Sequence, residues 1–399
     1  MDKTIRLEFS GLNTTLLSHD KNATLYDGDT FTVLEKLLAR FCPHQKALFI
    51  LNKSEENIYS EFLENIKSKG INPLVCVIEN SSLSVDSASV MFTYPEDVRV
   101  VVCFDYSLFD YAVYYSHANN IRLILALSGV DNLSALKPVL KIKNGNKTDQ
   151  IKVNPKTSVI FDAQKIKNSA YNIKNLYERV VSLSVSLIEY RILRLINVKP
   201  TFKDAYSLIK QSITSVFDIT SFLEEQRKLM LALNSLKISA ANYITGGEIL
   251  AGSTYSSYNE LLKDGRLILD YSTKILELST FAFCEMKSSK KVPDYQSRAN
   301  YLSENFGIDK TDIFSKYLKS AKLFDKYSVK IAEFFSINKQ EILSLISSFK
   351  LSKKISNNLP QEKEESIIAP ENVYKYFGDL SGAINLCTFL REKGVFELF

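Results

Sequence analysis

The sharpest chemical prospect in the chain is a hydroxyl and a carboxylate three residues apart, Ser107 and Asp110, just beyond the apolar run "VRVVVCF" (98–104). There a strand pattern gives way to a helical one. In a parallel sheet such a junction can hold a phosphate, because the first N–H groups of the helix and a serine hydroxyl point at one spot. The loop that does this needs glycines, which permit positive φ and let the backbone approach an anion closely. This chain instead has Phe104, Asp105 and Tyr106. They fill the space and put a carboxylate where the anion would sit. Ser-x-x-Asp is also a common helix cap, and that is the preferred reading here.

Other chemistry-bearing residues are sparse. The three histidines, His19, His44 and His117, all fall in the first 117 residues, and no Ser-His-Asp or Cys-His set follows from their spacing. The five cysteines, Cys42, Cys76, Cys103, Cys284 and Cys387, lie far apart and form no CxxC pair. They read as buried thiols in a reducing compartment. The glycine-rich "TGGEILAG" (245–252) lacks the Lys-Ser/Thr of a phosphate-binding P-loop and is expected as a loop between helices. Tyr106, Tyr111, Tyr114 and Tyr115 are expected to pack a helix against a sheet.

Composition bounds the rest. The 399 residues suffice for two cores, and 45% hydrophobic with 24% charged residues is ordinary for a globular chain. A net charge of +5, with lysines in short groups such as "SSKK" (288–291), gives no concentrated basic face, so nucleic acid is not an expected partner. No apolar run approaches the ~20 residues of a membrane helix, and the N-terminus lacks the apolar core of a signal peptide. A cytoplasmic protein is expected, with no membrane partner.

Two kinds of element must position these residues. Near-continuous apolar strands are expected at 47–52, 72–79, 98–104, 121–127 and 157–163, with edge strands around 5–9 and 23–28. Between the first two core strands, Ile58, Phe62 and Ile66 recur at helical spacing, and Gly70 follows as a stop. Strands of this kind separated by helices imply a parallel sheet covered on both faces. Later the pattern turns helical. Leu176, Val180, Leu183, Leu187 and Tyr190 form one stripe, and Ala205, Leu208, Ile209, Ile213 and Val216 another. The polar segment 350–366 reads as a loop. The expected architecture is an α/β N-terminal domain with a parallel, Rossmann-like sheet (1–165), followed by an all-α C-terminal domain (166–399), with a cleft between them.

In order and spacing, nearly the whole chain resembles the superfamily of dehydroquinate synthase, glycerol and glycerol-1-phosphate dehydrogenase, and iron-containing alcohol dehydrogenase. There a strand leads into Gly-Gly-Gly-Ser-x-x-Asp, which wraps the pyrophosphate of NAD(P). The matching positions here are 104–110, so Asp105, Tyr106, Ser107 and Asp110 stand at the cofactor loop. Asp131, in "ALSGVDNLS", matches the acidic end of a second family segment. The strand "SVIFDAQKI" (158–166) resembles the one that introduces the family's helical domain. The resemblance also implies a divalent metal, zinc or iron, held by one carboxylate and two histidines. Those three positions fall at Glu178, Tyr255 and Asp264, so both histidines are missing. Glu178 and Asp264 alone would make a poor oxygen site suited to a hard cation.

The phosphate loop and the metal histidines serve one reaction, and both are gone. The expectation is therefore a catalytically degenerate relative that holds no cofactor and acts as a binding or partner protein. The alternative is an NAD(P)-dependent polyol or glycerol-1-phosphate dehydrogenase, or a related synthase, with a divergent site. A further alternative is another small molecule in the cleft, held by Asp105, Ser107, Asp131 and Glu178. Because members of the superfamily commonly dimerise, a homodimer is also expected.

Overall fold

The computed structural model describes residues 23–398 except 54, 80–82, 96, 128, 134, 145–146, 170–172, 218, 254–264, 287–291, 360–372, 377 and 380–383. The expected edge strand at 5–9 and His19 lie outside the described residues.

The chain divides into two compact units, Met1–Tyr171 with Phe222–Gly247, and Asn172–Ser221 with Glu248–Phe399. The first is built on a six-stranded sheet of β1 (Ala23–Asp27), β2 (Lys46–Leu51), β3 (Asn72–Val77), β4 (Val98–Cys103), β5 (Arg122–Leu127) and β8 (Thr157–Phe161). An antiparallel ribbon, β6 (Val139–Asn144) with β7 (Lys147–Lys152), stands apart from that sheet and has no counterpart among the expected strands. The six strands run in the order β1-β8-β5-β4-β2-β3, and every pairing is parallel. In β4, Val100, Val101 and Val102 are all fully buried. Side chains on opposite faces of one strand can all be buried only if both faces are covered.

The connecting helices are α1 (Thr30–Phe41), α2 (Glu56–Ser68), the short α3 (Val85–Ser89), α4 (Phe109–Ala118) and α5 (Ala163–Asn168). Asp29 starts α1 by accepting from the Thr32 N–H at 2.8 Å. On α2 the core stripe is Tyr59, Phe62, Leu63 and Ile66, whereas Ile58 is 68% exposed. The expected stripe through Ile58 was therefore rotated by one residue at its start. Gly70 stops the helix at φ +84°, and a Cβ there would meet His44 Nδ1 at 2.7 Å. The positive φ is what favours glycine there.

The strand order sets up the functional question. From β2 the chain moves to β3 at one edge, then returns to lay β4 on the other side of β2. The loops leaving the carboxyl ends of β2 and β4 therefore lead away from each other. In open parallel sheets that divergence opens a crevice, and it is where ligands usually bind.

The remaining helices are α6 (Ile173–Leu195), α7 (Lys203–Thr214), α8 (Glu224–Ile244), α9 (Gly265–Thr280), α10 (Tyr295–Phe306), α11 (Lys310–Ile337), α12 (Lys339–Ser356) and α13 (Leu386–Glu392). Among the described residues no strand follows β8. The division differs from a single break at 165/166, because α8 belongs to the first unit. Small polar residues hold it there. Ser239 Oγ accepts from the Leu136 N–H at 2.8 Å, and Asn132 Nδ2 donates to the Ala232 carbonyl at 3.3 Å.

In the helical unit, α6 carries the expected stripe from Leu176 to Tyr190, yet it is buried nearly all round. Glu178, Ser182, Ser186 and Glu189 are also enclosed. The segment expected as a loop from 350 is helical as far as Ser356, the end of α12. Ser352 and Ser356 face inward there while Lys353 and Lys354 point to solvent, an amphipathic pattern in which serine takes the place of an apolar residue. Residues 357–359 form a turn after it, and 360–366 lie outside the described residues. Among the described residues no helix is long and apolar enough to cross a membrane.

Candidate active site

At the carboxyl end of β4 the chain turns through Phe104 and Asp105 into one 3-10 turn, Tyr106–Leu108, and then into α4. Asp105 sits in extended backbone (φ −92°, ψ 121°) and accepts from the Ser107 N–H at 2.8 Å. Its other carboxylate oxygen accepts from Asn52 Nδ2 at 2.6 Å. Asn52 directly follows β2, so this bond crosses the crevice opened by the strand order. A donor that a bound phosphate would use is thereby satisfied by a carboxylate of the chain itself.

Rings close the same region. Phe104, 1% exposed, stacks on Tyr59 with centroids 4.1 Å apart and planes 15° apart. Phe49 lies beneath it at 6.4 Å, and Phe31 from α1 at 6.5 Å. A glycine in place of Phe104 would leave an open slot.

The electrostatics run against an anion. Glu55 and Asn52 bond reciprocally, the Glu55 N–H to Asn52 Oδ1 at 3.0 Å and the Asn52 N–H to Glu55 Oε2 at 3.2 Å. Burial, helped by the nearby Asp105 charge, raises the Glu55 pKa above the usual carboxylate value. Burial likewise raises the Cys103 thiol, with the Glu55 charge adding to it. Two carboxylates therefore face the spot where the sequence resemblance would place a pyrophosphate.

The expected loop residues are brought together only in part. Asp105, Tyr106, Ser107 and Asp110 share one turn and the start of α4. Tyr106 is 57% exposed, whereas Tyr111 and Tyr115 are buried, as packing residues should be. Asp110 forms an ion pair with Lys137. Asp131, beyond β5, accepts from the Leu133 N–H at 3.2 Å and so holds its own turn.

The sequence reading passed over Asp162, which directly follows β8. Its Oδ1 accepts from the N–H groups of Gln164 and Lys165, both at 3.1 Å, and caps α5. Its Oδ2 accepts from the Thr30 N–H and hydroxyl, both at 2.9 Å. One carboxylate thus pins the starts of α5 and α1. The signal was present, because an aspartate that follows a buried strand and precedes a helical pattern is an N-cap.

At the superfamily's metal positions the donors do not match. Glu178 is 1% exposed on α6, and its Oε1 accepts from the Ser356 hydroxyl of α12. Tyr255 and Asp264 lie outside the described residues. Zinc and iron(II) favour imidazole nitrogen, and the sequence has no histidine after His117. The residues present do not fit that metal. Among the described residues no three His, Cys, Asp or Glu side chains gather as a ligand set.

With this geometry in hand, the chain can be set beside solved structures. No protein-family profile matches it, and no curated protein matches it in sequence. Glycerol dehydrogenase from Schizosaccharomyces pombe superposes with a TM-score of 0.50 at 11% identity, covering 94% of this chain and 88% of that one. A mutant of ADH/D1, an archaeal halo-thermophilic Red Sea brine pool alcohol dehydrogenase, superposes with a TM-score of 0.52 at 14% identity, covering 91% and 90%. The chain has the fold of these glycerol and alcohol dehydrogenases. At such identity the likeness speaks for the dehydrogenase fold alone, and the loop and ligand positions must be judged on their own chemistry.

Proposed function

We propose that this chain is a dehydrogenase-fold protein that no longer holds a dinucleotide in the superfamily's way and works by binding a partner or small molecule. One observation carries the reading. The crevice between β2 and β4 is bridged by Asn52 and Asp105 and filled by the Tyr59–Phe104 stack. A pyrophosphate entering there would have to displace an internal carboxylate from the Ser107 N–H and would face Glu55 as well. The metal histidines absent from the sequence support the same reading. In this proposal the protein is cytoplasmic, holds no resident cofactor and forms a homodimer.

A second reading is an NAD(P)-dependent polyol or glycerol-1-phosphate oxidoreductase whose site has been rebuilt. The fold favours it, since the solved structures that the chain resembles are glycerol and alcohol dehydrogenases. Titration of the protein with NADH, followed by nucleotide fluorescence, separates the two. The binding-protein reading expects no saturation up to about 1 mM, a binding free energy weaker than about −4 kcal/mol. Saturation at micromolar NADH would overturn it in favour of the oxidoreductase.

A further inference from the structure

We propose that the helical unit carries a site of its own for a small phosphorylated molecule, in the cavity walled by the end of α6, the first half of α11 and α13. The cavity encloses about 570 Å³, within the range of small-molecule sites. All its lining residues belong to the helical unit, so the proposal does not rest on the reading of the β2–β4 crevice.

Its floor is rigid and electrically closed. Arg391, 1% exposed, donates to Asp379, to Glu392 and to the Ser320 hydroxyl. Asp379 also accepts from Arg298 at 2.6 Å. Two guanidinium groups and two carboxylates balance one another's charge there. A cation arriving from solvent would find no unopposed negative charge on that floor.

The wall and rim have capacity left over. Tyr317 is 3% exposed and borders the cavity, and its hydroxyl donates to no acceptor among the described residues. Burial, with Asp379 nearby, raises its pKa, so it stays a neutral O–H donor in need of an acceptor. On the rim, Lys316 and Lys319 form no ion pair among the described residues. Lys199 differs, since its Nζ donates to the Glu248 and Ala251 carbonyls, both at 2.7 Å, and holds the 248–251 turn in place as one side of the opening. Counting Arg391, four cationic side chains line the cavity against two carboxylates, Glu248 and Asp379.

The ligand class follows from these parts. Two unopposed ammonium groups and a phenol with no acceptor suit a group with several acceptor oxygens and about two negative charges. A phosphate monoester supplies that. Leu193, Val198 and Ile313 give the cavity an apolar side against which an organic body can rest.

Calorimetry at low ionic strength, with phenyl phosphate, inorganic phosphate and benzoate as probes, tests this. The expected result is saturable binding of phenyl phosphate, tighter than that of inorganic phosphate or benzoate and weakened by added salt. The exposed pair Lys316→Ala with Lys319→Ala should weaken it by at least about tenfold. Tyr317→Phe, which keeps the ring, should weaken it without lowering the melting temperature. Absence of saturation in the native protein, equal affinity for benzoate, or unchanged affinity in both variants would overturn the proposal.

Discussion

Asn52 and Asp105 lie 53 residues apart in sequence, yet the amide of one donates to the carboxylate of the other at 2.6 Å across the top of two adjacent parallel strands. The bond does locally what a bound anion does in other sheets of this kind. It holds the Asp105 carboxylate where it accepts from the Ser107 N–H, in the turn that leads into α4. Because the charge is covalently part of the loop, it is there at full occupancy and competes with any ligand. Replacing Asp105 should therefore be felt in stability. Asp105→Ala removes both the cap on Ser107 and the bridge to Asn52, and should cost about 1–2 kcal/mol. Asp105→Asn can still cap and should cost less. The urea midpoint of each variant measures the difference.

Glu55 should leave a pH signature. Burial and the Asp105 charge raise its folded pKa above the ordinary value of 4.5. A carboxyl with a raised folded pKa favours the folded state while protonated. That contribution is full below the ordinary value and is lost as the pH rises through the folded value. Glu55→Gln cannot ionise. Relative to the native protein, it should gain stability as the pH is raised from about 4 to about 7. Denaturation midpoints across that range check the sign, and a variant that loses ground on the way up would refute it.

The buried network around Arg391 makes a larger prediction. Arg391→Met would leave Asp379 and Glu392, both enclosed, with one guanidinium fewer between them. Breaking a buried ion pair from one side typically costs about 3–5 kcal/mol. Thermal unfolding should show a clear loss for Arg391→Met, and a much smaller one for the exposed Lys353→Met, which pairs with Asp270 at the surface.

Thiol chemistry should single out one cysteine. Cys42, Cys76, Cys103 and Cys387 are buried, and Cys284 is half-buried. A native-state thiol titration should show one group reacting ahead of the other four, and Cys284→Ser should abolish that early phase. Several fast thiols would contradict the packing.

The parallel sheet was legible from the local pattern, because runs such as Val100, Val101 and Val102 have no polar alternation, as in a doubly covered strand, and they alternate with helical segments. The place of α8 was not. It is tied to the first unit by Ser239 meeting the Leu136 backbone and Asn132 meeting the Ala232 carbonyl, each across about a hundred residues, and nothing local in either residue announces those contacts. The β6–β7 ribbon was missed because its polar, lysine-rich strands, such as "KTDQIK", lack the β-branched apolar run that marks a core strand. At the candidate site, the missing glycines told what the loop lacks. The Asn52 bridge and the Tyr59 stack come from another strand-end and another helix, so spacing could not find them.

The metal prediction separates an enzyme from a binding protein most directly. Catalysis by zinc or iron of the superfamily's kind needs ligands that hold the ion firmly while leaving one position open for substrate. Imidazole does this well for borderline metals, whereas a few carboxylates favour harder cations that exchange readily. The helical unit has no histidine, Glu178 is enclosed and already accepts from Ser356, and Tyr255 and Asp264 complete the superfamily's positions with oxygen donors only. Protein purified without chelator should therefore carry well under one equivalent of zinc or iron per chain, as read by elemental analysis. Glu178→Gln keeps the acceptor for Ser356 and removes the charge, so it should leave the metal content at that low level. A stoichiometric metal in the native protein that disappears in Glu178→Gln and in Asp264→Ala would mean that the site had been rebuilt from oxygen ligands, and the oxidoreductase reading would then replace the one proposed.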